Sequence, residues 1–379
     1  MNNQTLIKKL SSFVISAFGI LSLNTQAAIF ITPKAPTIGA ASYIVLDYDS
    51  GSIVASSNPN MKRAPASLTK LMTAYVVFQL IKDGRISLKD KVRISKKAWK
   101  TGGSKSFVEV GKTIKLETLL KGMIIQSGND SAVALAEHIA GTEGTFVAYM
   151  NEYAKALNMT NSRFENASGL PHKDQYITAS DVAILASATI RDFPQFYPWY
   201  SQKEFTYHGI KQRNRNKLLW SDHTVDGLKT GFTKKAGYNL VASAKRVDMR
   251  LISVVLGSTS TEARTSQTQK ILDYGFRFFE TKKISKINKK IPINGSTKTE
   301  IKIGLKTPQT IILARGQYKL SQQVIELNAD FQTPVNKGDN IGHLIIKFEG
   351  ESLVKLPIIA LEDAPESGFF SRLLEKIGL

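Results

Sequence analysis

The serine and lysine of Ser67-Leu-Thr-Lys70 have the residue types and the spacing of a nucleophile and its base. A serine hydroxyl is a poor nucleophile until a base removes its proton, and residues three apart on a helix share a face. The stretch 67–81 is apolar nearly all round and ends at Asp83-Gly84, which is typical of a helix buried inside a domain. Burial lowers the pKa of an amine, so the pattern predicts an accessible neutral, basic form of Lys70.

The same pattern occurs a second time, at Ser352-Leu-Val-Lys355. That copy lies in a strand-like alternation, where residues three apart point to opposite faces. We therefore expect it to have no catalytic role, and the bare spacing of Ser67 and Lys70 proves little alone.

A second polar motif, Ser127-Gly-Asn129, lies between two predicted helices, 116–125 and 131–139. Both side chains would project into a cleft, where Ser127 relays a proton to a leaving amine and Asn129 bonds a substrate amide. The alternative is a structural turn in which Asn129 or Asp130 caps the next helix. Two further copies of the pattern occur, at Ser56-Ser57-Asn58 and Ser22-Leu23-Asn24.

The third motif, Lys229-Thr230-Gly231, precedes two apolar strands, 238–244 and 249–256, that a charged turn joins into a predicted hairpin. A cation and a hydroxyl beside a strand edge would hold a substrate carboxylate. Glycine lets the backbone approach closely and present an N–H to an oxyanion. The copy at Lys100-Thr101-Gly102 ends a predicted helix in a glycine-rich loop, so we interpret it as structural.

The composition of the chain excludes several kinds of catalytic and metal-binding site. The 379 residues include no cysteine, which excludes disulfides, thiolate metal sites and a cysteine nucleophile. The formal net charge of +20 favours an anionic environment, with nucleic acid the weakest candidate for an exported chain. The histidines are scattered without the spacing of a zinc peptidase, so we expect no metal and no other cofactor; they are His138, His172, His208, His223 and His343.

The two ends of the chain resemble targeting segments. Lys8 and Lys9, an apolar run over 10–23 and the small residues at Ala27-Ala28 predict a signal peptide over residues 1–27. At the other end, residues 363–379 are predicted to anchor the protein at a membrane: a link at 362–368 detaches an amphipathic helix, which begins at Phe369 and lies in the membrane surface. The alternative is a terminal helix packed on its own protein. Between the ends we expect a catalytic domain over 28–283 and a small β-sandwich domain over 284–362.

Taken together, Ser67, Ser127 and Lys229 follow the motif order of serine β-lactamases and penicillin-binding proteins. The chain resembles the low-molecular-mass penicillin-binding proteins that act as D-alanyl-D-alanine carboxypeptidases. The likeness runs over nearly the whole mature chain, through 126–130, 169–172, 214–220, 225–231, 236–243 and 275–281. It implies an α+β fold: a β-lactamase/transpeptidase-like catalytic domain, with an antiparallel sheet flanked by helices, followed by a small all-β sandwich domain.

The resemblance also implies roles for single residues. Ser67 would be the acylated nucleophile, Lys70 its base, and Ser127 a further catalytic residue. Substrate would be bound by Asn129, Lys229, Thr230, Gly231, Phe232 and Arg264, with the backbone N–H groups of Ser67 and Phe232 as the oxyanion hole. Arg264 would help hold the terminal carboxylate, unless it is a surface helix residue. Phe232 departs from relatives that have a histidine there, which leaves rate and substrate preference open.

The implied function is removal of the terminal D-alanine from peptidoglycan stem pentapeptides, with β-lactam antibiotics as acylating mimics. The implied location is the periplasmic face of the inner membrane, held peripherally by the C-terminal helix. Two further enzymes remain as alternatives, a DD-endopeptidase of peptide cross-bridges and a β-lactamase with Glu165 as its acid. A third alternative is a wall-binding scaffold with secondary activity.

Overall fold

The computed structural model of the protein describes residues 32–285 and 287–368. The predicted signal peptide and residues 369–379 of the predicted tail lie outside the described residues. Among helices built from the described residues, none combines the length and apolarity needed to cross a bilayer.

The described residues form sixteen strands and nine α-helices. The strands are β1 (Ser42–Asp47), β2 (Ile53–Ser57), β3 (Lys91–Arg93), β4 (Thr113–Lys115), β5 (Glu204–Tyr207), β6 (Ile210–Arg213), β7 (Val225–Thr233), β8 (Gly237–Arg246), β9 (Met249–Ser258), β10 (Phe279–Ile284), β11 (Lys289–Pro292), β12 (Glu300–Gly304), β13 (Gln309–Ala314), β14 (Gln322–Leu327), β15 (Asn340–Phe348) and β16 (Glu351–Ala360). The helices are α1 (Thr69–Lys82), α2 (Lys96–Lys100), α3 (Leu116–Lys121), α4 (Asn129–Ala140), α5 (Glu143–Ala156), α6 (Ala179–Asp192), α7 (Leu218–Ser221), α8 (Thr261–Phe278) and α9 (Gln317–Leu320).

The first of two five-stranded sheets is antiparallel, in the order β2-β1-β9-β8-β7. Successive residues of a strand point to opposite faces, so Ile44 and Leu46 join one apolar cluster while Tyr43 and Val45 join another. Helices α1, α4 and α6 pack in the first cluster and α8 packs in the second. The sheet is therefore flanked by helices on both faces, and among the described strands β2 and β7 form its two edges.

The predicted hairpin forms between β8 and β9, with Val247 and Asp248 in its turn. Alternating apolar residues fill both faces of these two central strands, which explains why they read as nearly continuous apolar runs. Because β7 pairs with β8, this hairpin fixes the position of the lysine-threonine-glycine motif on β7.

The smaller domain has a five-stranded antiparallel sheet, β11-β12-β16-β15-β14, and a two-stranded ribbon, β10-β13. Ile301, Ile303 and Ile358 from the sheet share one apolar cluster with Ile284 and Ile311 from the ribbon. Strand β10 pairs with β13 along its full length, so the predicted domain boundary after residue 283 falls inside a strand.

The link at 362–368 differs from the expectation that it detaches. Ala364 and Val335 exchange backbone hydrogen bonds of 2.8 and 3.0 Å, and the Ser367 N–H donates to Gly295 O at 2.8 Å. The Ser296 hydroxyl donates to Pro365 O. Short apolar residues and free backbone groups of the link thus find partners in the β domain, which the acidic and proline-containing sequence did not reveal.

Candidate active site

Ser67 lies in a single 3-10 turn, Ala66–Leu68, which leads directly into α1. Lys70 lies in the first turn of that helix and is only 1% exposed. Its Nζ is 3.1 Å from Ser67 Oγ, so the predicted pair meets. The helical spacing therefore delivers the contact that the sequence pattern predicts.

Two more oxygens surround the Lys70 amine. Its Nζ donates to Asn129 Oδ1 at 2.6 Å and to the Ser168 carbonyl. Gly169, at φ +86°, makes the second contact possible, because a Cβ there would lie 1.9 Å from Ala66 O. Only glycine combines this backbone conformation with so close an approach.

The pKa of Lys70 is lowered to about 7, chiefly because burial penalises the charged amine and further because Arg215 is positive. Asp130 opposes the shift. However, its carboxylate accepts backbone hydrogen bonds from Ser106, Val108 and Ser131 and forms no contact with the amine. A buried amine with a pKa near neutrality can exist as a base at neutral pH.

The motif at 127–129 lies across the cleft from α1. Ser127 has a left-handed backbone, φ 72°, and its buried hydroxyl has no hydrogen-bond partner among the described residues. Asn129 is the first residue of α4, and its side chain bonds Lys70 and the Gly102 carbonyl rather than capping the helix. Both side chains therefore face the cleft, as the first of the two interpretations predicts.

On the opposite wall, β7 brings Lys229, Thr230 and Gly231 against the serine turn. A Cβ on Gly231 would lie 3.1 Å from the Ser67 nitrogen and 3.1 Å from Pro65 O, so the absence of a side chain lets the two backbones approach. Lys229 is 3% exposed. Its pKa is held well below the usual range by burial first and then by the positive charges around it, with Lys70 the largest.

Arg264 occupies the first turn of α8 and is buried against β7 and β8. Its guanidinium donates long hydrogen bonds to the carbonyls of Gly231, Asn239 and Arg215. Burial, with a contribution from Arg215, lowers its pKa to about 10. It is therefore a buried residue of the cleft wall, not a surface helix residue.

These walls enclose a cleft of about 730 Å³, and none of the described residues that line it is acidic. Ser67, Ser127, Asn129, Thr230, Gly231, Phe232 and Arg264 all line it, while Lys70 and Lys229 lie beneath its surface. Phe232 is half exposed and its ring packs on Tyr238 at 4.3 Å. The cleft is a positively charged site that suits a carboxylate.

Comparisons with known proteins agree with this geometry. The family profile described as D-alanyl-D-alanine carboxypeptidase matches residues 30–260, and that of the penicillin-binding protein 5 C-terminal domain matches residues 279–366. The chain belongs to the D-alanyl-D-alanine carboxypeptidase family. The predicted family and α+β fold class are thereby confirmed.

Members of this carboxypeptidase family are similar to this chain over most of its length. The carboxypeptidase DacC of Escherichia coli is 42% identical, over 94% of this chain and 92% of the relative. The crystal structure of penicillin-binding protein 5 from Haemophilus influenzae has a TM-score of 0.82 at 39% identity and covers 89% of this chain and 100% of that one. Penicillin-binding protein D2 of Listeria monocytogenes, solved in its cefotaxime-bound form, has a TM-score of 0.60 at 30% identity and covers 64% and 100%.

The second copies of the serine-lysine and lysine-threonine-glycine motifs do not line the cleft. Ser352 and Lys355 are exposed on β16, and Lys100-Thr101-Gly102 follows the end of α2. Glu165, the acid considered for a β-lactamase, forms an ion pair with Arg163 and does not line the cleft. The described residues contain no group of three or more His, Asp or Glu side chains placed to hold a metal ion.

Sequence reasoning assigned no role to Arg215, the Ser168 carbonyl or the Gly103-Ser104 loop, yet all of them line the cleft. Arg215 and Gly169 fall in stretches that carried the family likeness. Their roles depend on loops that fold back over α1 from distant positions, so no local pattern identifies them.

Proposed function

We propose that the protein is a serine-type D-alanyl-D-alanine carboxypeptidase in which Ser67 is the nucleophile and Lys70 its base. The observation that carries this proposal is the 3.1 Å contact between Lys70 Nζ and Ser67 Oγ, together with burial that lowers the pKa of the amine to about 7. A neutral amine at that distance accepts the hydroxyl proton as the oxygen attacks.

Acylation forms one bond and breaks another. Ser67 Oγ bonds to the carbonyl carbon between the last two D-alanines while Lys70 accepts its proton, which gives a tetrahedral oxyanion. The carbon–nitrogen bond then breaks, and the leaving amine of D-alanine takes up, through Ser127, the proton that Lys70 accepted. The Ser127 hydroxyl suits this transfer because it is buried at the cleft and has no hydrogen-bond partner among the described residues.

The oxyanion is stabilised by the backbone N–H groups of Ser67 and Phe232. Support comes from the close approach of Gly231 to the Ser67 nitrogen, which brings the end of β7 beside the nucleophile. Preorganised backbone donors of this kind contribute about 3 to 4 kcal/mol to transition-state stabilisation. Because Phe232 contributes only backbone here, its half-exposed ring in place of histidine leaves acylation intact.

The terminal carboxylate of the substrate binds to Thr230, Lys229 and Arg264, and Asn129 bonds the substrate amide. The cleft lining is free of acids within the described residues; of the two buried cations, Lys229 lies on β7 and Arg264 packs against that strand. A bound carboxylate compensates the burial and the neighbouring positive charges that lower the pKa values of Lys229 and Arg264. This preference favours substrates that end in a free carboxylate.

Water then hydrolyses the ester, and Ser67 is regenerated. β-Lactams imitate the terminal dipeptide and acylate the same hydroxyl; the cefotaxime-bound relative from Listeria monocytogenes supports this step. A β-lactamase role is disfavoured because Glu165 is engaged by Arg163 outside the cleft. Cleavage of peptide cross-bridges by the same acyl-enzyme remains the second candidate function.

The test is to incubate the protein with a defined stem pentapeptide and with a cross-linked peptide dimer, and to assay free D-alanine and dimer cleavage. We expect release from the pentapeptide to exceed dimer cleavage, and the Ser67→Ala variant to lose activity by at least about 10³-fold. Unchanged D-alanine release by Ser67→Ala would refute the enzymatic role. Faster cleavage of the dimer would assign the endopeptidase.

We further propose that the protein is exported and held at the periplasmic face of the inner membrane by residues 369–379. Support comes from the signal-like residues 1–27 and from the stripe of Phe369, Phe370, Leu373, Leu374 and Ile377 in the sequence. Because residues through Ser367 are bonded to the β domain, removal of 369–379 leaves that domain's described contacts intact.

Deletion of residues 369–379 should therefore release the protein from membranes and leave soluble carboxypeptidase activity unchanged. Sedimentation with membrane vesicles measures the first effect, and D-alanine release the second. A deletion variant that still sediments with the vesicles contradicts this anchoring.

A further inference from the structure

A second positively charged surface lies outside the cleft, on the β3-β4 ribbon. Lys91 pairs with Lys115 and Arg93 pairs with Thr113 in the antiparallel register. Val92 and Ile114 of the same strands are buried, so the alternation leaves the other four side chains exposed on one face. Like charges directly opposite each other destabilise a ribbon, which makes this arrangement costly for folding alone.

We call Lys91, Arg93 and Lys115, with Lys96 and Lys100 of the adjoining helix α2, the basic face. Residues 89–121 contain ten lysines and arginines but only three acids. Each of these acids is engaged elsewhere: Asp90 with the Ser87 amide, Glu109 with His208 and Glu117 with Lys121. Among the described residues, the basic face therefore has no carboxylate partner, whereas Lys97 beside it pairs with Glu143.

The basic face is continuous with the rim of the cleft. Helix α2 ends at Lys100, and Gly103 and Ser104 already line the cleft. The loop is fixed there because Asn129 donates to the carbonyls of Gly102 and Ser104, at 2.6 and 2.7 Å. Three residues of chain span at most about 11 Å, so the Lys100 end of the basic face lies close to the rim of the cleft.

We propose that the basic face binds the polymeric form of the substrate, by holding carboxylates of neighbouring stem peptides while one stem occupies the cleft. This rests on the proposed function and assigns its substrate class as the assembled polymer. A row of unpaired cations attracts a chain of repeated carboxylates, raising its local concentration and its association rate. None of the basic-face residues lines the cleft, so binding of a free pentapeptide in the cleft does not require them.

The test is a triple variant, Lys91→Gln, Arg93→Gln and Lys115→Gln, assayed for D-alanine release from pentapeptide-rich sacculi and from a soluble pentapeptide. At low ionic strength we expect kcat/KM on sacculi to fall about 3- to 10-fold, with the loss disappearing at high salt because screening weakens such attraction. Release from the soluble pentapeptide should stay unchanged, since none of the three side chains lines the cleft.

The matched control removes the same charge from the β domain, by Lys306→Gln, Lys319→Gln and Lys337→Gln, whose exposed side chains likewise have no carboxylate partner among the described residues. The proposal is overturned if the control loses as much activity on sacculi, if both substrates are affected equally, or if the triple variant behaves like the unchanged protein. It is also overturned if the triple variant loses only sedimentation with vesicles of anionic phospholipid. Failure of the unchanged protein to release D-alanine from the soluble pentapeptide would instead refute the proposed function.

Discussion

The chain contains the same serine-lysine spacing in two settings, on helix α1 and on strand β16. Lys70 is buried 3.1 Å from Ser67 Oγ, whereas Ser352 and Lys355 are exposed and have no mutual hydrogen bond among the described contacts. A helix brings positions three apart onto one face, but a strand does not. The chemistry of the pattern thus comes from secondary structure and burial, not from the residue types alone.

The two lysine-threonine-glycine copies differ in the same way. A Cβ on Gly231 would meet the backbone of Ser67 and Pro65, whereas a Cβ on Gly102 would meet nothing within 4 Å. Lys229 is buried among cations, whereas Lys100 is exposed at the end of α2. Each duplicate therefore offers a control substitution of the same chemical type.

The largest expected difference in activity is between substitutions of Lys70 and of Lys355, the lysines of the two serine-lysine motifs. Lys70→Gln removes the proposed base, and we expect kcat/KM for D-alanine release to fall about 10²- to 10⁴-fold, the usual contribution of a general base. For the unchanged enzyme, kcat/KM should rise with pH through about 7, because the neutral amine is the active form and the pKa of Lys70 is about 7. Steady-state kinetics from pH 5 to 9 measure both effects.

Lys355→Gln is the control, and it should leave the rate and its pH dependence unchanged. Circular dichroism spectra that overlay would show that Lys70→Gln is folded. If both lysine variants retained full activity, Lys70 would not be the base.

The next largest difference, in the rate of acylation, is expected between alanine substitutions of Gly231 and Gly102. Gly231→Ala places a methyl group 3.1 Å from the Ser67 nitrogen, so strand β7 or the serine turn must shift. A displacement of a few tenths of an ångström to one ångström at the reacting atoms costs about 10- to 100-fold in rate. Acylation by a labelled β-lactam, followed over time, reports this step directly.

Gly102→Ala provides the comparison, because the added methyl group enters open space and the backbone there is compatible with alanine. We expect acylation at the rate of the unchanged protein. Equal slowing by both alanines would mean that the close approach of β7 to Ser67 has no special role.

The parts of the site that are local in sequence could be predicted. The spacing of Ser67 and Lys70, the end of α1 and the β8-β9 hairpin follow from patterns of three or two residues. By contrast, the Lys70 amine contacts Asn129 and the Ser168 carbonyl, which are 59 and 98 residues away. No short pattern encodes such contacts, because they depend on how separate elements pack.

The domain boundaries show the same limit. Residues 279–283 look like the end of the catalytic domain, yet they pair with 310–314 in the β domain. Likewise, the acidic link before the predicted tail is hydrogen-bonded to Gly295 and Val335. Composition reveals a change in the local residue pattern, but pairing between distant strands decides where a domain ends.

The smallest difference, in the pH dependence of kcat/KM, is expected between substitutions of Arg215 and Arg213, which are two residues apart. Arg215 lines the cleft and is one of the positive charges that lower the pKa of Lys70, whereas the exposed Arg213 lies outside the cleft. Arg215→Gln removes a positive charge, which makes the protonated amine more favourable and raises the pKa of Lys70. The rising limb of kcat/KM should therefore move to higher pH, with a loss of about 2- to 5-fold at pH 7, because solvent screens the exposed charge.

Arg213→Gln removes the same charge outside the cleft, so its pH profile should overlay that of the unchanged enzyme. A role of Arg215 in substrate binding would appear separately, as a higher KM at all pH values without movement of the limb in kcat. If the limb moved to lower pH in Arg215→Gln, the field of Arg215 would not act on Lys70. If the rising part of the kcat/KM profile of Arg215→Gln stayed at the same pH, burial and not the charge of Arg215 would set the pKa of Lys70.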